Sequence, residues 1–209
     1  ESGSVSYGKA TNYLPILELL RAYFSIEHAD ETRKIREKVT GKLLSLDRQL
    51  EPFVPPILWL LDVPVEDEKW GRLDPPQRRQ RILDGVRRLL LRESQVQPLM
   101  VLFEDLHWID AETQALLDSL VESLPTARLL LLMNYRPEYS HGWGSKTYYR
   151  QLQIHPLPPE SAEALLDALL GSDATLAALK RLVNERTEGN PFFMEESVRA
   201  LVETGVLAG

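Results

Sequence analysis

Two apolar runs constrain this chain more than anything else in it. Residues 98–103 (PLMVLF) and 128–134 (RLLLLMN) each read as a strand with no alternation of apolar and polar positions. A strand with one wet face alternates, whereas a strand apolar throughout belongs to a parallel sheet covered on both faces. Between the two runs, residues 111–124 read as a helix, with Asp110 as its N-cap and Pro125 just past its end. Strand, helix, strand is the βαβ unit, and its crossover is right-handed almost without exception. The pattern predicts an α/β fold whose two strands end on the same edge of one sheet.

The rest of the chain is read around that unit. GSVSY near the start reads as a short strand, and a chain that enters a strand at once, with no leader, reads as a cut piece. A helix is expected from Leu14 to Phe24, capped by Asn12 or Thr11, with Pro15 in its first turn. A second runs from about Asp30, with Ile35, Val39, Leu43 and Leu46 at helical spacing. Prolines break the next stretch, leaving a short helix at 56–61. In LDPPQRRQRILDGVRRLLLRES, Asp74 and Gln77 form a capping box, and Ile82, Val86, Leu89 and Leu90 form a buried stripe. Its arginines (Arg78, Arg79, Arg81, Arg87, Arg88, Arg92) fit a solvated or interdomain face, or else a face for a partner or nucleotide. YYRQLQI is a further candidate strand.

After HPLPPE the character changes. Helices are expected at 159–170, 173–187 and 191–204, ended by Gly171, Gly189 and Gly205. Asp173 and Asn190 cap the second and third, and Pro191 opens the third. The expected layout is an α/β domain over 1–155 and an all-helical one over 156–209.

Composition removes several classes of function. Without cysteine there is no disulfide, no thiolate metal site and no Cys nucleophile, which suits a reducing compartment. A net charge of −7 argues against a surface for nucleic acid, whose phosphates are held by clustered Lys and Arg. No apolar run approaches the ~20 residues needed to span a bilayer, and ESGSVSYGKA has neither part of a signal peptide.

The chemistry concentrates at the two strand ends. Ligands of open parallel sheets sit outside the carboxyl ends of the strands. Glu104 and Asp105 stand at the first such end. Two hard carboxylates suit Mg²⁺, one holding the hydrated cation and the other orienting or deprotonating a water. The bland alternative is a capping acid beside a solvated one. Arg136 follows the second strand, where a guanidinium can stabilise charge on a transferring phosphoryl group, or simply pair with Glu138. In EGNPFFMEE, Gly189, Asn190 and Pro191 open a helix whose N–H groups and dipole face outward. A plain helix–helix connector explains the same residues. His107 could meet a phosphate or be structural, Trp108 reads as a packing anchor, and Glu104, His107 and Asp110 lack the spacing of a standard zinc site.

Together these segments resemble the STAND-class P-loop ATPases. LMVLFEDLHWID is similar to their Walker B strand, LLLLMNYRPE to their sensor strand with its arginine, and LPPESAEALLDALLG with RTEGNPFFMEESVRALVETGVL to their helical lid. The nearest resemblance is to the ATPase module of bacterial proteins that also carry adenylate/guanylate cyclase and tetratricopeptide domains. SYGKATNYLP and LDPPQRRQRILDGVRRLLLRESQ look like that subfamily too. The resemblance implies a parallel-sheet core followed by a helical lid, and a cytoplasmic ATP·Mg²⁺ switch in a signalling protein. It implies catalytic roles for Glu104, Asp105 and Arg136, with the first two on the metal. It gives nucleotide contacts to Gly189, Asn190, Pro191 and His107. The partners it implies are a nucleoside triphosphate and the neighbouring cyclase and repeat domains, with oligomerisation open.

Two departures stand out. No stretch matches the phosphate-binding G-x-x-x-x-G-K-[ST] loop: Gly3, Gly8 and Lys9 lack the spacing and the following hydroxyl residue. The core is therefore expected without its Walker A strand, loop and helix, and this piece is expected to bind ATP weakly or not at all. The acids also run Glu-Asp where Asp-Asp or Asp-Glu is usual, which leaves open which one meets the metal. The rival expectation is a protein-interaction module without catalysis.

Overall fold

The computed structural model describes residues 12–206 and the backbone of Ser2–Gly3. The chain divides into two compact units, Glu1–Tyr149 and Arg150–Gly209.

The first unit is built on a parallel sheet of three strands in the order β1 (Ser2–Gly3), β2 (Leu99–Glu104), β3 (Leu129–Met133). Ser2 pairs with Phe103, and β2 runs in register with β3 from Leu99 opposite Leu129 to Phe103 opposite Met133. The expected strand at GSVSY is thus met only at its first residue, Gly3, and the remainder lies outside the described residues.

Between β1 and β2 come α1 (Leu14–Tyr23), α2 (Thr32–Leu46), α3 (Val54–Leu60), α4 (Glu68–Gly71) and α5 (Pro75–Val96); α6 (Ala111–Ser123) is the β2–β3 crossover. The capping box is complete, with Gln77 N–H donating to Asp74 and the Gln77 side chain accepting from the Asp74 N–H. Val39 and Leu43 of α2, and Ile82, Val86, Leu89 and Leu90 of α5, are buried as their spacing predicts. The α1 cap is different: Tyr13 takes that place in a left-handed conformation with no side-chain capping bond, its hydroxyl donating instead to Glu112 at 3.1 Å. The proline-rich stretch is more helical than expected, a 3₁₀ segment Arg48–Phe53 running into α3. Pro55 falls in the first turn of α3, where a missing N–H costs nothing.

The α5 arginines are largely used inside the unit. Arg79 pairs with Glu112, Arg87 and Arg88 with Asp84, and Arg92 with Asp47.

One expectation about the sheet fails. Val101 and Phe103 are buried in one core with Leu89 and Leu90 of α5 and Leu116, Leu117 and Leu120 of α6. The alternate positions are open: Met100 is 64% exposed, Leu130 60% and Leu132 49%. Apolar residues on both faces require two covers, and the described residues bury only one face. YYRQLQI is not a strand either; residues 150–158 have no regular structure, and Leu152 and Ile154 are almost fully exposed.

The second unit is all-helical: α7 (Pro159–Leu170), α8 (Ala177–Thr187) and α9 (Pro191–Glu203). Its own small core joins Ala162, Leu166, Val183, Met194 and Val198. Asp173 caps a 3₁₀ turn, Ala174–Leu176, that leads into α8.

Candidate functional site

At the end of β2 the chain turns sharply. Glu104 is the last strand residue, and Asp105 enters the left-handed region at φ 54°. A residue with a Cβ resists that conformation, and Asp is among the few that tolerate it. The turn is held from β3. The Asn134 Oδ1 accepts the Asp105 backbone N–H at 2.7 Å, the Asn134 N–H donates to Phe103 O at 3.1 Å, and Asn134 O accepts from Leu106 N–H at 3.1 Å. Three bonds from one residue thus lock the two strand ends together. The sequence reading missed this role of Asn134; its signal was an amide directly after a run of apolar strand residues.

Strand alternation puts Glu104 on the open face of the sheet with Met100 and Leu102. Its half-buried carboxylate has no partner among the described residues. The Asp105 side chain is 57% exposed. Asp110 is spent as the α6 cap, its Oδ1 accepting from Glu112 N–H and Thr113 N–H and its Oδ2 from the Thr113 hydroxyl. Among the described residues no three His or acidic side chains converge as a metal cage.

His107 is not where a phosphate contact would be. Its side chain is 5% exposed, it packs on Trp108, and neither ring nitrogen has a hydrogen-bond partner among the described residues. The Nε2 lies 4.0 Å from Asp105 Oδ1, too far for a hydrogen bond. A buried polar group left unpaired costs about 1–3 kcal/mol.

Arg136 follows β3 by three residues, at the same sheet edge as Glu104 and Asp105, because the strands are parallel and in register. It is exposed and makes no ion pair among the described residues, with Glu138 or any other acid.

Gly189, Asn190 and Pro191 belong to the second unit. The donors expected to face outward are in part used: the Asn190 side chain accepts from Phe192 N–H at 3.1 Å and more weakly from Phe193 N–H. Gly189 has φ +75°, and a Cβ there would lie 2.8 Å from Leu157 O. Its carbonyl accepts from Leu157 N–H at 2.8 Å. The glycine is therefore demanded by backbone packing as well as by the turn.

A family model described as an AAA ATPase domain matches residues 2–133, well over half of the chain. The chain belongs to the AAA ATPase domain family. A second model, a domain of unknown function (DUF8739), matches residues 158–208. No curated protein matches the chain, and no solved structure does.

As an AAA ATPase domain the chain is an ATPase-type nucleotide-binding module, of a family that typically uses Mg²⁺. Its strand ends suit that ligand pair in part. Mg²⁺ takes one or two carboxylates and leaves its other positions to water and phosphate, so a protein cage is not required. Glu104 and Asp105 carry the carboxylates and Arg136 the guanidinium at this one sheet edge. No helix among the described residues is long and apolar enough to cross a membrane.

Proposed function

We propose that this AAA ATPase-domain chain is the nucleotide switch of a STAND-type signalling protein of the bacterial cytoplasm, acting on neighbouring cyclase and repeat domains. The observation that carries the proposal is the single sheet edge shared by Glu104, Asp105 and Arg136. Glu104 holds the hydrated cation and Asp105 orients the attacking water. Arg136 stabilises the charge that develops on the transferred phosphoryl group. When bound, Mg²⁺ supplies Lewis-acid polarisation of the phosphate oxygens. By the resemblance to the family's lid, Gly189, Asn190 and Pro191 take the base side of the nucleotide. Hydrolysis resets the switch.

The 209 residues contain no G-x-x-x-x-G-K-[ST] loop, so this chain is expected to bind ATP weakly or not at all. Calorimetry and thermal shift with Mg-ATP test this. A ligand at 100 times its Kd stabilises by ~2.7 kcal/mol, and no such shift is expected. Micromolar affinity that depends on both acids overturns the weak-binding part. In a longer form carrying the loop, Glu104→Gln, Asp105→Asn and Arg136→Ala should each lower hydrolysis, Arg136→Ala by roughly 10²-fold or more. Undiminished hydrolysis overturns the site.

The bare apolar face of the sheet favours a second reading, an interaction module that another polypeptide segment covers along Met100, Leu130 and Leu132. Hydrolysis unaffected by the two amide substitutions supports that reading instead.

A further inference from the structure

The segment after β3 carries a cluster that the nucleotide reading does not use. Tyr139, Trp143, Lys146 and Tyr148 fasten it to one face of α6, and His141 braces these residues from within the segment. The Tyr139 hydroxyl donates to Gln114 Oε1 at 2.5 Å and the Trp143 indole N–H to Asp118 Oδ1 at 2.8 Å. The Tyr148 hydroxyl donates to Val121 O at 3.0 Å, and Lys146 pairs with Glu122 at 2.6 Å. Positions 114, 118, 121 and 122 recur at helical spacing, so the segment lies along the helix. Arg136 is at the head of this fastened stretch.

His141 sits at its centre, stacked on Trp143 with ring centroids 4.7 Å apart and planes 19° from parallel. Its Nδ1 accepts the Trp143 backbone N–H at 3.2 Å. An accepting ring nitrogen carries no proton, so the neutral ring holds its proton on Nε2. That nitrogen faces the Tyr135 and Tyr149 hydroxyls at 3.1 and 3.2 Å, and these two lie 2.5 Å from each other. Adding a second proton sets an Nδ1–H against the Trp143 N–H, and the bond is lost.

We propose that His141 is a positioning residue and an acid-sensitive latch: neutral, it fastens residues 135–149 and with them Arg136 against α6, and protonated, it lets them loosen. Burial lowers the His141 pKa from the ordinary 6.5, outweighing the Asp118 carboxylate of α6, which favours the charged ring. Tyr139 and Tyr149 are both pushed up to about 12, chiefly by burial. Lys146 is raised by its bond to Glu122. A folded value below 6.5 means the latch is whole above pH 6.5 and weakens as pH falls beneath it. The consequence for phosphoryl transfer rests on the role proposed for Arg136, while the latch itself does not.

The test is NMR on the 209-residue chain without nucleotide. At pH 7.5 the imidazole ¹⁵N shifts should report the Nε2–H tautomer, and an Nδ1–H tautomer overturns the proposal. From pH 7.5 to 5, the amide and indole signals of Trp143 and the backbone signal of Arg136 should move together with the His141 ring, at one midpoint below 6.5. Separate midpoints, or no movement at Arg136, overturn it as well. In His141→Asn the side-chain oxygen still accepts the N–H two residues on, as in an Asx turn, but cannot titrate. Its profile should be flat, and a wild-type profile sinks the latch. Because no nucleotide is present, these results stand apart from any failure of ATP binding.

Discussion

The side chain of Asn134 holds the backbone of Asp105, its Oδ1 accepting the Asp105 N–H at 2.7 Å where φ is 54°. An acid proposed to orient water is thus fixed by its main chain while its carboxylate stays free. Asn134→Ala should cost about 1 kcal/mol in urea unfolding, the net worth of one such bond. Asp105→Gly should instead stabilise by roughly 0.5–1 kcal/mol, because the left-handed strain on a Cβ-bearing residue exceeds the extra entropy of glycine. A destabilised glycine variant would show that the Asp105 side chain is part of the scaffold and not held in reserve for a ligand.

The two faces of the sheet should answer substitution differently. Phe103 is wholly buried among α5 and α6, so Phe103→Ala should cost about 3–5 kcal/mol. Leu130 and Leu132 are 60% and 49% exposed. Leu130→Thr with Leu132→Thr should shift stability by no more than about 0.5 kcal/mol per site. The same pair should reduce self-association in sedimentation, because an exposed apolar face is a contact waiting for a partner. A large loss of stability in the double variant would mean that this face is covered in solution.

Local chemistry made much of the architecture legible. The capping box at Asp74 and Gln77, the Asp110 and Asn190 caps and the helix-stopping glycines act within a few residues of themselves, so sequence carries them in full. The βαβ unit was readable because two apolar strands flank one capped helix. What was hidden depended on contacts distant in sequence. Hydrophobicity says that β2 and β3 want two covers, but not that the described residues would bury only one face. Asn134 read only as the last residue of a strand until its bond to Asp105, 29 positions away, was visible. His107 was read as a ligand contact because a loop imidazole is ambiguous in sequence, and only coordinates reveal that it is buried. The aromatic residues of YYRQLQI suggested a strand, yet nothing pairs with them in a sheet among the described residues.

Glycine offers a matched pair of tests. Gly189 has φ +75° and faces Leu157 O, 2.8 Å from where a Cβ would stand. Gly189→Ala adds left-handed strain of about 1–2 kcal/mol and a backbone clash, and it threatens the Leu157 N–H bond. The loss should appear in the unfolding of the helical unit by circular dichroism. Gly41 lies inside α2 with nothing within 4 Å of a Cβ. Gly41→Ala should stabilise by roughly 0.5–1 kcal/mol. Equal effects at the two positions would contradict the tight approach of the α8–α9 turn to residue 157.

The acid side of the stability profile should carry the mark of Asp30. Its side chain is 1% exposed, with Lys34 Nζ at 2.6 Å and Lys38 Nζ at 2.5 Å. The Glu27 backbone N–H also donates to it, at 2.9 Å. Lys34, then Lys38, then that N–H hold its pKa well below the ordinary 3.8. A carboxylate depressed in the folded state adds stability that is whole above its unfolded value and is lost as pH falls through the folded one. The wild-type urea midpoint should therefore decline below pH 3.8, in the region where the unfolded chain takes up this proton first. Asp30→Asn cannot ionise and cannot neutralise two ammonium groups. Its midpoint should be lower at neutral pH, and the gap to wild type should close on acidification. Parallel curves from pH 7 to pH 2 would mean that the two lysines add nothing to the fold through Asp30.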